Sequence, residues 1–206
     1  MNTEFWWWVA RSSGVVAWLA MAATVVWGLL LPAKLSTRQR PAWILDLHRH
    51  LGSLTVGATV LHLAALWFDA YVEFTVVDLL VPFAADWKPG PVALGVVAFW
   101  SLLVVQISSQ FQRRLGRQRW RRLHLLSYLA IVGGTLHGIL AGTDATTPTY
   151  QLATFAVVGL ASFLTIYRVM TRRARGGRAG AARQASAGRS ATVATRTASL
   201  SSSVTR

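Results

Sequence analysis

Five stretches of this chain lack Asp, Glu, Lys and Arg altogether and run long enough to cross a lipid bilayer: residues 12–32, 51–68, 91–112, 123–143 and 145–167. In helical form, about 20 apolar residues cover the ~30 Å hydrocarbon layer of a membrane. The second stretch is the shortest, and residues 43–47 extend it with Asp46 as their single charge. The pattern predicts five transmembrane helices, and so an all-α, polytopic helical bundle over residues 1–170 with lipid as its solvent. Composition agrees, because 53% hydrophobic and 14% charged residues make too apolar a mixture for a soluble chain of 206 residues.

The connections between these stretches sort by the sign of their charge. The segment from Lys34 to Arg40, the six arginines between Arg113 and Arg122, and the C-terminal end are basic, within a net charge of +14. Asp69, Glu73, Asp78, Asp86 and Asp144 fall in the alternate connections. Positive charge stays on the cytoplasmic side, so the N-terminus is expected outside and the C-terminus inside, in a multi-pass protein of the cell membrane, expected to be a bacterial plasma membrane. Lys34, Arg38 and Arg40 follow the first apolar run, which therefore reads as a retained span. The basic runs separate apolar stretches instead of lining one polar face, so membrane lipid is the expected partner and nucleic acid is not. Trp6, Trp7 and Trp8 suit an interfacial aromatic belt, and residues 71–90 suit an amphipathic segment on the outer surface. Residues 171–206 are mostly Ala, Gly, Ser, Thr and Arg, and are expected to form a disordered, basic cytoplasmic tail drawn to anionic headgroups.

All five histidines lie in two of the five helices: His48, His50 and His62 in the second, His124 and His137 in the fourth. Alternate spans run in the same direction, so the earlier histidines of each share one depth and the later ones another. Fourteen residues separate His48 from His62, and thirteen separate His124 from His137. At the helical rise this puts the two levels ~20 Å apart. Fourteen steps return to within ~40° of one helix face, whereas thirteen miss by ~140°, so the fourth helix must tilt, distort or present its rings obliquely. Gly133 and Gly134 lie where such a distortion is tolerated.

Paired imidazoles at two depths point to haem. An iron porphyrin is a flat apolar disc that fits between helices and is held from both faces by axial ligands. Zinc wants a compact four-ligand cage, which a two-depth arrangement does not provide. There are no cysteines, so iron–sulfur clusters and covalent haem attachment are excluded and any haem is bound non-covalently. Gly52, Gly57, Gly134, Gly138 and Gly142 would let a bulky ring approach, although glycines alone read equally as helix packing. His50 lies ~120° from the face of His62 and is the candidate for an ordinary hydrogen-bonded histidine.

The segments LHRHLGSLTVGATVLH (47–62) and WRRLHLLSYLAIVGGTLHG (120–138) resemble the ferric reductase-like transmembrane domain, which includes ferric reductases, the membrane half of NADPH oxidases and the haem subunit of a methionine sulfoxide reductase system. The resemblance implies two b-type haems, with His48 and His124 holding the iron of the inner one and His62 and His137 that of the outer. Two features depart from the family. About 35 low-complexity residues follow Arg172 without a G-x-G-x-x-G element, so the chain is not expected to take hydride from a nicotinamide by itself. Five spans are expected where many relatives have six.

Haem propionates need cations near them. Arg11, at the outer end of the first span, is a candidate partner for an outer propionate, and equally suits snorkelling to headgroups. Arg49, Arg121 and Arg122 are unranked candidates on the inner side. The expected function is electron transfer, as the membrane component of an oxidoreductase, from a separate inner-side donor, a flavoprotein or quinol, to an unidentified outer-side acceptor. A haem- or metal-binding membrane protein without redox turnover is the alternative.

Overall fold

The computed structural model describes residues 3–31 and 42–171; the expected tail and the basic segment with Lys34, Arg38 and Arg40 lie outside the described residues. The described chain is helical, without strands: α1 (Thr3–Leu30), α2 (Ala42–Phe68), a short α3 (Val76–Leu80), α4 (Pro89–Gln110), a short α5 (Gln112–Leu115), α6 (Arg117–His124) and α7 (Leu126–Ala141), followed by α8 (Pro148–Thr171). Five helices are long and apolar enough to cross a membrane: α1, α2, α4, α6 with α7 as one run, and α8.

Helix ends differ from the charge-free stretches for local reasons. α1 starts nine residues ahead of its apolar run because a charged side chain does not end a helix, so Arg11 stands about two turns inside it. α8 starts at Pro148, a residue suited to a first helical position, after Thr147, whose hydroxyl accepts from the Tyr150 N–H at 3.4 Å. In the 71–90 connection, Thr75 and Asp78 form a reciprocal capping box around α3. This segment does more than lie on a surface: Phe74, Leu79 and Ala85 are buried in one cluster with Val92 and Val96 of α4.

The chain divides into two units, residues 1–162 and 163–206. In the first, α1 packs along α2, α4 packs along α7, and α1 also touches α7. Small side chains permit this proximity, since without a hydrophobic drive between spans it is close backbone approach that holds them. A Cβ added at Gly133 of α7 would stand 3.2 Å from the Leu94 carbonyl oxygen of α4. Between α1 and α7, the buried Trp18 indole donates to Thr135 Oγ1 at 3.0 Å. Trp18, Ala22 and Ile131 form the core of that contact, with Ala153 and Val157 of α8 against it. Apolar side chains such as Leu19, Val60, Leu61, Val132 and Leu136 face outward and are exposed, as a lipid-facing surface requires. The second unit is described only over residues 163–171, the last turns of α8, where Phe163, Ile166, Tyr167 and Met170 are exposed.

Candidate functional site

α2 and the α6–α7 run bring four of the five histidines together as two ring pairs. The His48 and His124 rings lie 6.2 Å apart between centroids at 53°, and the His62 and His137 rings 6.4 Å apart at 78°. The earlier residues of each helix pair with each other and so do the later ones, so the two helices run in the same direction. We call His48 with His124 the first level and His62 with His137 the second.

The thirteen-residue spacing is accommodated just after His124. At Leu125 the α6–α7 run tightens: Leu125 N–H bonds to the Arg122 carbonyl at 3.2 Å and Tyr128 N–H to the Leu125 carbonyl at 3.1 Å. These are three-residue bonds, at ~120° per residue in place of ~100°, and they recover part of the missing rotation. Gly133 and Gly134, expected to host the distortion, lie within the unbroken α7.

Hydrogen bonds set the tautomers. His62 Nδ1 lies 2.7 Å from the Ala10 carbonyl oxygen and His137 Nδ1 2.8 Å from that of Pro91. A carbonyl only accepts, so each Nδ1 carries the proton and each Nε2 keeps its lone pair, the state in which imidazole binds a metal. His124 Nδ1 lies 3.5 Å from Ser109 Oγ, a hydroxyl that also accepts from the Trp120 indole at 3.3 Å. The Trp120 ring lies against His124, 5.0 Å between centroids. His48 Nδ1 is buried and makes no hydrogen bond.

Three of the four rings are seated on glycines that the sequence reading did not single out. A Cβ at Gly14 would stand 3.0 Å from the His62 ring, one at Gly28 3.0 Å from the His48 ring, and one at Gly95 2.8 Å from His137 Nδ1. The signal was present, because Gly14 and Gly28 repeat on α1 the fourteen-residue spacing of His48 and His62 on α2. Of the glycines expected to let a bulky ring approach, Gly134, Gly138 and Gly142 line the cavity between the second pair of histidines, whereas Gly52 faces Gln106 and Gly57 faces open space.

A cavity of about 280 Å³ opens at the second level, lined by His62 and His137, by apolar residues that include Met21, Leu63 and Phe99, and at its rim by Arg11 and Asp144. Arg11 is held there by Asp144, through Nε to Oδ2 at 2.6 Å and through Nη2 to Oδ1. Its guanidinium also lies over the rings of Trp7 and Trp8 at 5.0 and 5.1 Å. His50 stands apart from both pairs, its Nδ1 donating to the Asp46 carbonyl at 2.7 Å. Of the other cationic candidates, Arg49 pairs with Asp46 at 3.4 Å on an exposed surface, while Arg121 and Arg122 form no salt bridge among the described residues.

This arrangement fits a group bound by two axial imidazoles. A first-row metal holds an imidazole nitrogen at ~2 Å, and that nitrogen lies ~1.1 Å from the ring centre, so two rings facing each other across one ion stand ~6 Å apart. Both pairs match that separation. Among the described residues, no three His, Cys, Asp or Glu side chains gather to hold a metal ion. Two ligands per level therefore suit an ion that brings four nitrogens of its own.

Fold and paired histidines together define a polytopic helical membrane protein with two stacked candidate sites. The family model described as "Ferric reductase like transmembrane component" matches residues 13–135, more than half of the chain, and the chain belongs to that family. The matched segment contains His48, His62 and His124 and ends two residues before His137. No curated protein and no solved structure matches the chain. Ferric reductase-like transmembrane domains generally bind haem, and membership supports a membrane redox role.

Proposed function

We propose that residues 1–170 form a transmembrane electron-transfer domain binding two haems b, with residues 171–206 as a basic cytoplasmic tail. His48 and His124 hold the inner haem, His62 and His137 the outer. Electrons enter from a separate inner-side flavoprotein or quinol and leave to an outer-side acceptor. The observation that carries this reading is the pair of ring separations, 6.2 and 6.4 Å, at matched heights on co-directional helices.

When bound, haem supplies a one-electron couple at each level. The chain's own residues supply the setting. The Ala10 and Pro91 carbonyls hold two rings with Nε2 free. Gly14, Gly28 and Gly95 leave room for the rings against the neighbouring helices. Apolar side chains around the second level exclude water, and outer-sphere transfer requires no acid or base. Arg11 engages Asp144 through Nε and Nη2, which leaves Nη1 as a donor for a propionate at the cavity rim.

The test is the haem-to-protein ratio of the purified full chain, measured with reduced-minus-oxidised spectra. About two haems are expected in the native protein, and about one each in His62→Ala and His124→Ala. A colourless protein after expression with ample haem would overturn the reading. In sealed vesicles, haem that an inner-side reductant cannot reduce, or an outer-side oxidant cannot reoxidise, would point to haem binding without electron transfer.

A further inference from the structure

The four rings are not held alike, and one of the four seats is not a glycine. On α1, the glycines that seat the rings are Gly14 and Gly28; on α4 the corresponding positions, again fourteen apart, are Gly95 and Ser109. The carbonyl four residues before Gly14 and Gly95, from Ala10 and Pro91, accepts from Nδ1 of the seated ring, and the one before Gly28 is that of Thr24. At Ser109 the equivalent carbonyl is that of Val105, and the serine hydroxyl itself donates to it at 2.7 Å. The neighbouring Ser108 hydroxyl donates to the same carbonyl at 3.1 Å. His124 Nδ1 therefore meets a hydroxyl oxygen, 3.5 Å away and already accepting from Trp120, where His62 and His137 donate to main-chain carbonyls.

Resting on the haem reading above, we propose that Ser109 is a positioning residue that keeps the first level at a higher reduction potential than the second. A main-chain carbonyl that accepts a ligand's N–H makes the imidazole a stronger donor, which favours the oxidised metal and lowers its potential. Both second-level rings have such a partner at 2.7–2.8 Å. At the first level His48 has no hydrogen bond on Nδ1, and His124 has only the long contact to an engaged hydroxyl. Charge acts in the same sense. Asp69, and Asp144 with its partner Arg11, line the second-level cavity and leave one net negative charge there, whereas His124 ends a helix carrying Arg117, Arg119, Arg121 and Arg122. An electron shared between the levels rests on the first, and the second is the stronger reductant, suited to an acceptor that is hard to reduce.

Potentiometric titration of the purified full chain, followed in the haem absorbance bands, reads this directly. Two components are expected, and the one remaining in His124→Ala is expected to be the lower. Ser109→Gly recreates the arrangement of the other three seats and is expected to lower the upper component. Ser109→Ala removes the acceptor and is expected to raise it, and neither variant moves the lower component. If the Ser109 variants lose first-level haem, Trp120→Phe serves instead: it frees the hydroxyl to accept from His124 and is expected to lower the upper component. Two haems with the surviving His124→Ala component as the upper one, or an upper component that stays put in every variant that retains it, would overturn the proposal and leave the di-haem reading standing. A native protein without haem would overturn both.

Discussion

The α1–α2 half and the α4–α7 half of the bundle solve the same problem with different helices. In each, a histidine-bearing helix lies against a neighbour whose small residues repeat every fourteen positions, Gly14 and Gly28 in one half, Gly95 and Ser109 in the other. α2 meets its seats with a matching fourteen-residue spacing. The α6–α7 run has thirteen and needs the tightened turn at Leu125 to do so. The repeat common to both halves belongs to the supporting helices. Ring position is therefore set by the seats on α1 and α4, and the histidine helices adjust to it.

The strongest way to break this comparison is to fill a seat. A Cβ at Gly95 would already stand 2.8 Å from His137 Nδ1, and that ring is fixed by its bond to Pro91. Gly95→Val is expected to cost the second-level haem, taking the haem-to-protein ratio from about two to about one, while Gly28→Val costs the first-level haem to the same extent. Difference spectra and haem stoichiometry measure both. Two haems retained in either variant would mean that the seats do not position the rings.

A finer test uses alanine. The added Cβ would stand equally close, 3.0 Å, to His62 from Gly14 and to His48 from Gly28. His62 is tied to the Ala10 carbonyl, whereas His48 Nδ1 has no hydrogen bond and its ring is freer to yield. Gly14→Ala is expected to loosen its haem more than Gly28→Ala, with a neutral-hydrogen-bond difference of about 1 kcal/mol, read as a several-fold difference in the rate of haem loss to apomyoglobin. Equal rates would remove hydrogen bonding as the distinction between the levels.

The spans and the two histidine depths were legible because each rests on a local regularity: unbroken apolar length, and positions counted along a helix. The seats were not, although their fourteen-residue repeat was visible, because a glycine in a membrane helix equally suits backbone packing, as Gly133 does against the Leu94 carbonyl. That use of Gly133 also explains why the distortion falls elsewhere. The thirteen-residue spacing demands a departure from regular helix, but Gly133 is committed to α4 and Gly134 faces Met21 of α1, and the departure falls at Leu125. Arg11 lies at the histidine level of His62 and His137, and its partner Asp144 is 133 residues away, a pairing that no local pattern announces.

The smallest effects are expected at the ion pairs, which differ between the two ends. Arg11 holds Asp144 through two nitrogens, at 33% and 19% side-chain exposure, and lies over two indoles. Removing one partner leaves the other partly buried without compensation, so Asp144→Ala is expected to destabilise the protein by about 1–3 kcal/mol in denaturant titrations in detergent. It should also disturb the second-level spectrum more than the first. Arg49 and Asp46 make a single 3.4 Å contact at 66% and 52% exposure, where solvent screens the attraction and side-chain entropy opposes it. Arg49→Ala is expected to change stability by less than about 0.5 kcal/mol and to leave both haems in place. A loss of first-level haem in that variant would instead mean that Arg49 compensates a propionate, and would make the two ends of the bundle alike in how they hold their charges.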